Sequence, residues 1–164
     1  MILFISCQSS QEEKEIKKKI FNKENLIKVN KNLIKKDKEI IESYVKRRNW
    51  KMEVTQTGLW FMIYFHGEGR KAKEGKIATI NFSVELLDGT LCYSSDSLNP
   101  KLFRIGQGGV ESGLEEGILL LREGDKARFI MPPHLAHHLL GDENKIPPRS
   151  TIIYDLELIK ISGI

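Results

Sequence analysis

Residues 75–117 read GKIATINFSVELLDGTLCYSSDSLNPKLFRIGQGGVESGLEEG, and this stretch sets the frame for the rest of the chain. Residues 76–87 alternate apolar and polar side chains through Phe82, the period of a half-buried strand. Asp88-Gly89 is a strong hairpin signal, and residues 90–94 return as the partner strand. Leu102–Ile105 gives another short strand, closed by Gly106 and the Gly108-Gly109 pair. Ser112-x-x-Glu115 has the spacing of a capping box, in which the Ser hydroxyl takes up an unpaired amide of the first helical turn. Leu114, Ile118 and Leu121 then give a short helix one apolar face, and Gly124 supplies a left-handed residue after it.

Further strands flank this stretch. Residues 126–131 form one, ended by Pro132-Pro133; residues 134–148 make a long loop; residues 151–161 alternate as the last strand. Upstream, residues 52–65 are strand-like, with the aromatic and β-branched run Leu59-Trp60-Phe61-Met62-Ile63-Tyr64-Phe65 that a pleated surface favours, broken by His66-Gly67-Glu68-Gly69. Many strands and one short helix predict an α+β domain over 52–161, an antiparallel sheet wrapped around a helix. No internal repeat is present.

The chain has 164 residues, 40% hydrophobic and 29% charged, which suits one domain with an appendage. The net charge of +4 is unevenly spread: residues 11–50 hold 13 Lys/Arg against 7 Asp/Glu, and residues 51–164 hold 13 against 15. The basic character therefore belongs to the N-terminal arm, where it reads as a solvated helical face, with contact to an acidic partner or to an anionic membrane surface as the alternatives. Charge is the only feature that would point to nucleic acid, and none is expected as a partner. Within 31–50, Leu33, Ile34, Ile40, Ile41, Tyr44 and Val45 share one face at helical spacing, predicting an amphipathic helix over 31–48. Residues 8–30 are Lys-, Glu- and Asn-rich and read as a charged tether with some helical tendency.

Residues 1–7, Met1-Ile-Leu-Phe-Ile-Ser-Cys7, are apolar up to a small residue before a cysteine. The run is short for a complete signal h-region of about 7–15 residues and lacks a basic n-region. It looks like the end of a bacterial lipoprotein signal, with Cys7 lipidated and the assigned start late. A polar tether follows at once, as such an anchor requires. An accidental apolar N-terminus with an ordinary cysteine is the alternative. With Cys7 acylated, Cys92 is the only free thiol. Two distant cysteines make no disulfide framework.

The ordered series Gly75, Phe82, Asp88-Gly89, Ser94-Ser95, Phe103-x-x-Gly106, Val110-x-x-Gly113-Leu114-Glu115-Glu116-Gly117, Gly124-Asp125-Lys126-Ala127, Ile146-Pro147-Pro148 and Tyr154-Asp-Leu-Glu-Leu158 resembles the FKBP family of peptidyl-prolyl cis-trans isomerases over about half of the chain. The resemblance implies an FKBP-like fold with one aromatic pocket for an Xaa-Pro bond. It places Phe82 and Tyr154 on the pocket walls, Phe103 in the core beside them, and Val110 and Leu114 on the side and floor. It puts the backbone N–H of Glu111 on a substrate carbonyl, Ile146 in the loop that closes over the ligand, and His137 where most members carry a Tyr. Cys92-Tyr93 replaces the usual Phe-Asp pair, so that the Tyr93 ring either refills the pocket or obstructs it. The N-terminal arm with Trp60–Phe65 is also similar to lipoprotein isomerases linked to gliding motility and secretion.

Isomerisation of an Xaa-Pro bond needs neither nucleophile nor metal, and no cofactor is expected. His134, His137 and His138 lie within five residues but have no second ligand cluster. Phe82, Phe103 and Tyr154 alternate on strands and equally suit a core. Two functions follow. In the first, the chain is a periplasmic or outer-membrane lipoprotein isomerase acting on Xaa-Pro segments of exported polypeptides. In the second, it is a binding module or chaperone with little activity, an accessory subunit of a cell-envelope complex. In both, lipidated Cys7 attaches it to the membrane.

Overall fold

The computed structural model describes residues 8–163, with side chains from residue 24 onward; the lipidation expected at Cys7 lies outside the described residues. The chain divides into two units, one ending at Lys36 and one from Asp37 on.

Helix α1 runs Gln8–Arg47, so the tether predicted over 8–30 is helical and no boundary falls at residue 31. The segment contains neither Gly nor Pro and is rich in Lys and Glu, straight-chain residues that lose little freedom in a helix. In the first unit Leu26, Ile27, Val29 and Ile34 are exposed. The helix stops where Asn49 turns left-handed at φ 53°. The Trp50 amide there bonds back to the Val45 carbonyl at 3.2 Å, the long bond of a Schellman cap. The Trp50 ring meets Tyr44 edge-on at 5.8 Å, closing the apolar contact across the cap.

The second unit is an antiparallel sheet in the order β1-β2-β6-β7-β3-β4, with β5 also paired to β3. The strands are β1 Glu53–Val54, β2 Trp60–Phe65, β3 Ile77–Leu86, β4 Leu91–Ser94, β5 Lys101–Arg104, β6 Lys126–Met131 and β7 Ile152–Ser162. The β3–β4 hairpin turns at Gly89, φ 90°, and the Asp88 carboxylate accepts the Thr90 amide at 2.9 Å. Between β4 and β5 lies a short helix, α2 Ser95–Leu98, that the apolar pattern did not announce.

Alternation along β7 divides the sheet into two faces. Ile152, Tyr154, Leu156 and Leu158 join the main core with Phe82, Phe129 and Met131, against which α3 (Ser112–Ile118) lays Leu114 and Ile118. Ile153 points the other way and joins Trp60 and Ile130 in a smaller core with Ile41, Tyr44 and Val45 of α1. Arg149 fastens that end of α1, its Nη2 donating to both oxygens of Asp37 at 2.8 and 2.9 Å.

Helix α3 begins differently from the capping box expected. Its N-cap is Glu111, with no side-chain cap bond, and the Ser112 hydroxyl donates to the Leu135 carbonyl at 3.3 Å. Glu115 turns away from the helix end. It accepts the amides of Gly106 at 2.6 Å and Gly108 at 3.0 Å, holding the turn that precedes α3. The loop takes this carboxylate from the cap because the Gly106 and Gly108 amides, both in residues at positive φ, have no ladder partner.

Candidate functional site

Adjacent strands bring the two aromatic walls together. Phe82 on β3 pairs in register with Leu156 on β7, which places Phe82 and Tyr154 on the same sheet face. Their rings lie 5.9 Å apart and tilted by 32°. Tyr154 is 1% exposed, and Leu114 beneath α3 is fully buried. Phe103 on β5 is buried in the same core.

An open cavity of about 520 Å³ lies beside this pair, and Val110, Glu111, His137 and His138 line it. Phe82 and Tyr154 do not line that cavity. Two residues that do, Lys101 and Glu111, cover them. The Lys101 ammonium stands 5.0 Å from the Phe82 ring centroid and 5.4 Å from that of Tyr154. It donates to the Tyr154 hydroxyl at 2.8 Å, and that hydroxyl donates to Glu111 Oε1 at 3.0 Å. Glu111 Oε2 lies 3.7 Å from the ammonium, an ion-pair distance without a hydrogen bond. His137 Nε2 stands 3.2 Å from Glu111 Oε1 in poor alignment, so it too makes no hydrogen bond. The Glu111 side chain is only 9% exposed. Burial first, and then the neighbouring carboxylate of Glu111, pushes the Tyr154 phenol far above its ordinary range, so it is a neutral donor at any working pH.

The site is therefore aromatic below and polar above. Of the residues singled out in the sequence, Val110, Glu111 and His137 meet at the cavity, Phe82 and Tyr154 lie under it, and Leu114 closes the core behind. Ile146 is 2% exposed and packs into the main core. Tyr93 turns its hydroxyl to the loop and donates to Asp142. That loop carboxylate also accepts the amides of Asn144 at 3.0 Å and Ile146 at 2.7 Å. Burial alone would raise the Asp142 carboxyl, but these donors outweigh it and hold it below the usual range. Cys92 is buried, and burial pushes its thiol up. His134 parts from the other two histidines: its Nε2 lies 2.9 Å from the Thr57 carbonyl, whereas His137 faces Glu111 and lines the cavity with His138.

Sequence reasoning missed Lys101 and gave the Glu111 side chain no part. A signal for Lys101 was present. It stands two residues before Phe103 on β5, and a period of two puts both on the face that enters the core.

Residues 68–159 match the family model of the FKBP-type peptidyl-prolyl cis-trans isomerases. Among named proteins, the chain is 35% identical over 132 residues to a probable FKBP-type peptidyl-prolyl cis-trans isomerase FkpA of Neisseria meningitidis, covering 79% of this chain and 48% of that protein. It is 39% identical over 90 residues to peptidyl-prolyl cis-trans isomerase Fkbp12 of Drosophila melanogaster, covering 54% and 83%. The chain thus spans about half the length of the first of these. Among solved structures, FkpA from Escherichia coli superposes with a TM-score of 0.69 at 25% identity, over 97% of this chain and 74% of that one. AtFKBP13 superposes with a TM-score of 0.65 at 30% identity, over 67% and 98%. The matched sequence runs through β3, β4, β5 and β6 into β7 and includes the helix that closes the aromatic pair, and with it this chain belongs to the FKBP-type peptidyl-prolyl cis-trans isomerase family.

Proposed function

We propose that the chain is a peptidyl-prolyl cis-trans isomerase that rotates Xaa-Pro bonds of exported polypeptides at the Phe82–Tyr154 pair. The observation that carries this reading is the pair itself: two aromatic rings 5.9 Å apart, over a fully buried Leu114 and next to an open cavity. The barrier to rotation is about 18–20 kcal/mol because resonance keeps the amide planar. A twisted amide has lost that resonance, its carbonyl needs less solvation, and a dry aromatic surface suits it better than water does. Binding the twisted form more tightly than either planar form is sufficient for catalysis. Val110 and Leu114 confine the prolyl ring, the Glu111 amide and the His137 imidazole face the substrate carbonyls, and Ile146 holds the loop shut. Lipidated Cys7 holds the protein at the cell envelope.

The test is cis-trans exchange on a short Xaa-Pro peptide followed by NMR, with the Cys7→Ser chain and with Tyr154→Ala in that background. Acceleration that the folded Tyr154→Ala protein loses supports the assignment. Acceleration that survives it removes the aromatic pair from the mechanism.

A second reading, a binding module of a cell-envelope complex with little turnover, is favoured by the Lys101 ammonium on the two rings. A charge held where a dry surface is needed slows entry of proline. Full-length protein that is folded yet gives no acceleration on any peptide would favour this version.

A further inference from the structure

Resting on the reading of this pocket as a prolyl site, we propose that Glu111 makes it selective for a basic residue, Arg or Lys, immediately before the proline. A prolyl ring that stacks on Phe82 and Tyr154 must take the place of the Lys101 ammonium, which stands over both rings. The two partners separated by that exchange are not equally placed. The Lys101 side chain is 28% exposed, so its ammonium moves into water along a flexible stem. The Glu111 side chain is 9% exposed and fixed through the Tyr154 hydroxyl, and its Oε2 already lacks a hydrogen bond.

Breaking a buried ion pair by removing one partner leaves an uncompensated charge, which is strongly unfavourable. The cost of opening the pocket is thus set by Glu111. A ligand that brings its own cation removes that cost. In a trans Xaa-Pro bond the Cα of the preceding residue adjoins the proline Cδ, so its side chain starts beside whatever the ring displaces. A guanidinium or ammonium on that residue reaches the place Lys101 vacated, and the long apolar stem covers the aromatic edge. His137 Nε2, 3.2 Å from Glu111 Oε1, also faces this carboxylate. The test is run at pH 8 throughout, so that the three peptides are compared at one pH.

The experiment titrates the Cys7→Ser chain with the peptides Ala-Xaa-Pro-Phe, Xaa being Arg, Leu or Glu, and reads Kd from NMR shifts. The Lys101 ε-methylene serves as a second probe, because the two ring currents shift it in the free protein and release it on displacement. The Arg-Pro peptide should bind about tenfold tighter than the Glu-Pro peptide, the effect of one partly buried charge pair. Glu111→Gln, which preserves shape and an acceptor for Tyr154, should bring that ratio close to one. Glu116→Gln removes the same charge outside the cavity and should leave the ratio intact. Equal Kd values in the parent chain, no binding of the Arg-Pro peptide, or a ratio that persists in Glu111→Gln each overturn the proposal. Binding is read without turnover, so loss of the isomerase reading shows as absent exchange catalysis whatever the Kd ratio is.

Discussion

At the residue scale, Tyr93 shows how a substitution in the pocket sequence takes on a structural task. Its hydroxyl donates to Asp142, whose other oxygen gathers the amides of Asn144 and Ile146. Tyr93 thereby fixes the loop that positions Ile146. Removing the hydroxyl in Tyr93→Phe leaves Asp142 with two donors in place of three. The expected cost is about 1.5–3 kcal/mol, the range for a hydrogen bond to a charged group. The lowered carboxyl of Asp142 contributes stability above its ordinary value that is lost as pH falls through the folded one, so the difference between the proteins should shrink in acid. Hydrogen exchange at Asn144 and Ile146 checks it: unchanged rates would show that the loop stands without Tyr93. Tyr93→Asp would set a second carboxylate against Asp142, and loosening of the loop, not a clearer pocket, is its expected result. These roles were hidden in the sequence because Asp142 lies 49 positions from Tyr93. The aromatic pair was legible because strand alternation and family order both point to Phe82 and Tyr154. The polar cover was not, since no pattern marks a Glu whose side chain turns inward at the end of a helix.

At the scale of elements, α3 depends on how closely it approaches β6. A Cβ on Gly117 would stand 2.5 Å from Phe129 Cε2, inside contact distance, and Phe129 is fully buried. Gly117→Ala should therefore destabilise by about 1–3 kcal/mol, as overpacking does, despite the better helix propensity of Ala. A denaturant midpoint equal to the parent's would mean that the helix shifts at no cost. The strand ends are tied by a charge: Glu123 accepts from the Arg70 guanidinium at 2.9 Å and from the Ile161 amide at 2.5 Å. Arg70 first, and then the Ile161 amide, lowers the Glu123 carboxyl to about 2. Because the folded value is depressed, its stabilisation is complete above the unfolded value of about 4.3 and vanishes as pH falls toward about 2. Glu123→Gln should lower the melting temperature at pH 7 and converge with the parent near pH 2; a constant difference across that window would exclude the ionised carboxylate as the cause. The strands from β3 onward were readable to within a residue or two, because alternation is a strong signal, whereas residues 52–65, read as one strand-like run, divide into β1 and β2 about a turn closed by the Thr55 amide on the Leu59 carbonyl. The helix start at Gln8 was not: the apolar face is sparse before residue 26, and propensity without amphipathicity does not mark a boundary.

At the scale of the whole molecule, the sheet has two faces to cover, and of the two short α-helices inside the family match, α2 and α3, only α3 buries side chains. The second face carries Trp60, Ile130 and Ile153, and α1 residues Ile41, Tyr44 and Val45 cover it. Those α1 residues precede the matched residues 68–159. The folding unit is thus longer than the family domain and begins near Asp37, where the ion pair with Arg149 fastens the helix. A chain begun at Asp37 should unfold cooperatively with a melting temperature close to that of the full chain. A chain begun at Met52 exposes the second face and loses burial of three large side chains, each of which contributes about 1.5–3 kcal/mol. Ile41→Ala in the full chain separates packing from truncation: Ile41 is fully buried, and the expected loss is about 2–5 kcal/mol. If the Met52 chain were as stable as the Asp37 chain, the last turns of α1 would be a bystander to the sheet. If it is weaker by the amount the point variant predicts, the last turns of α1 are a structural part of the domain, and the unit that folds is longer than the family match.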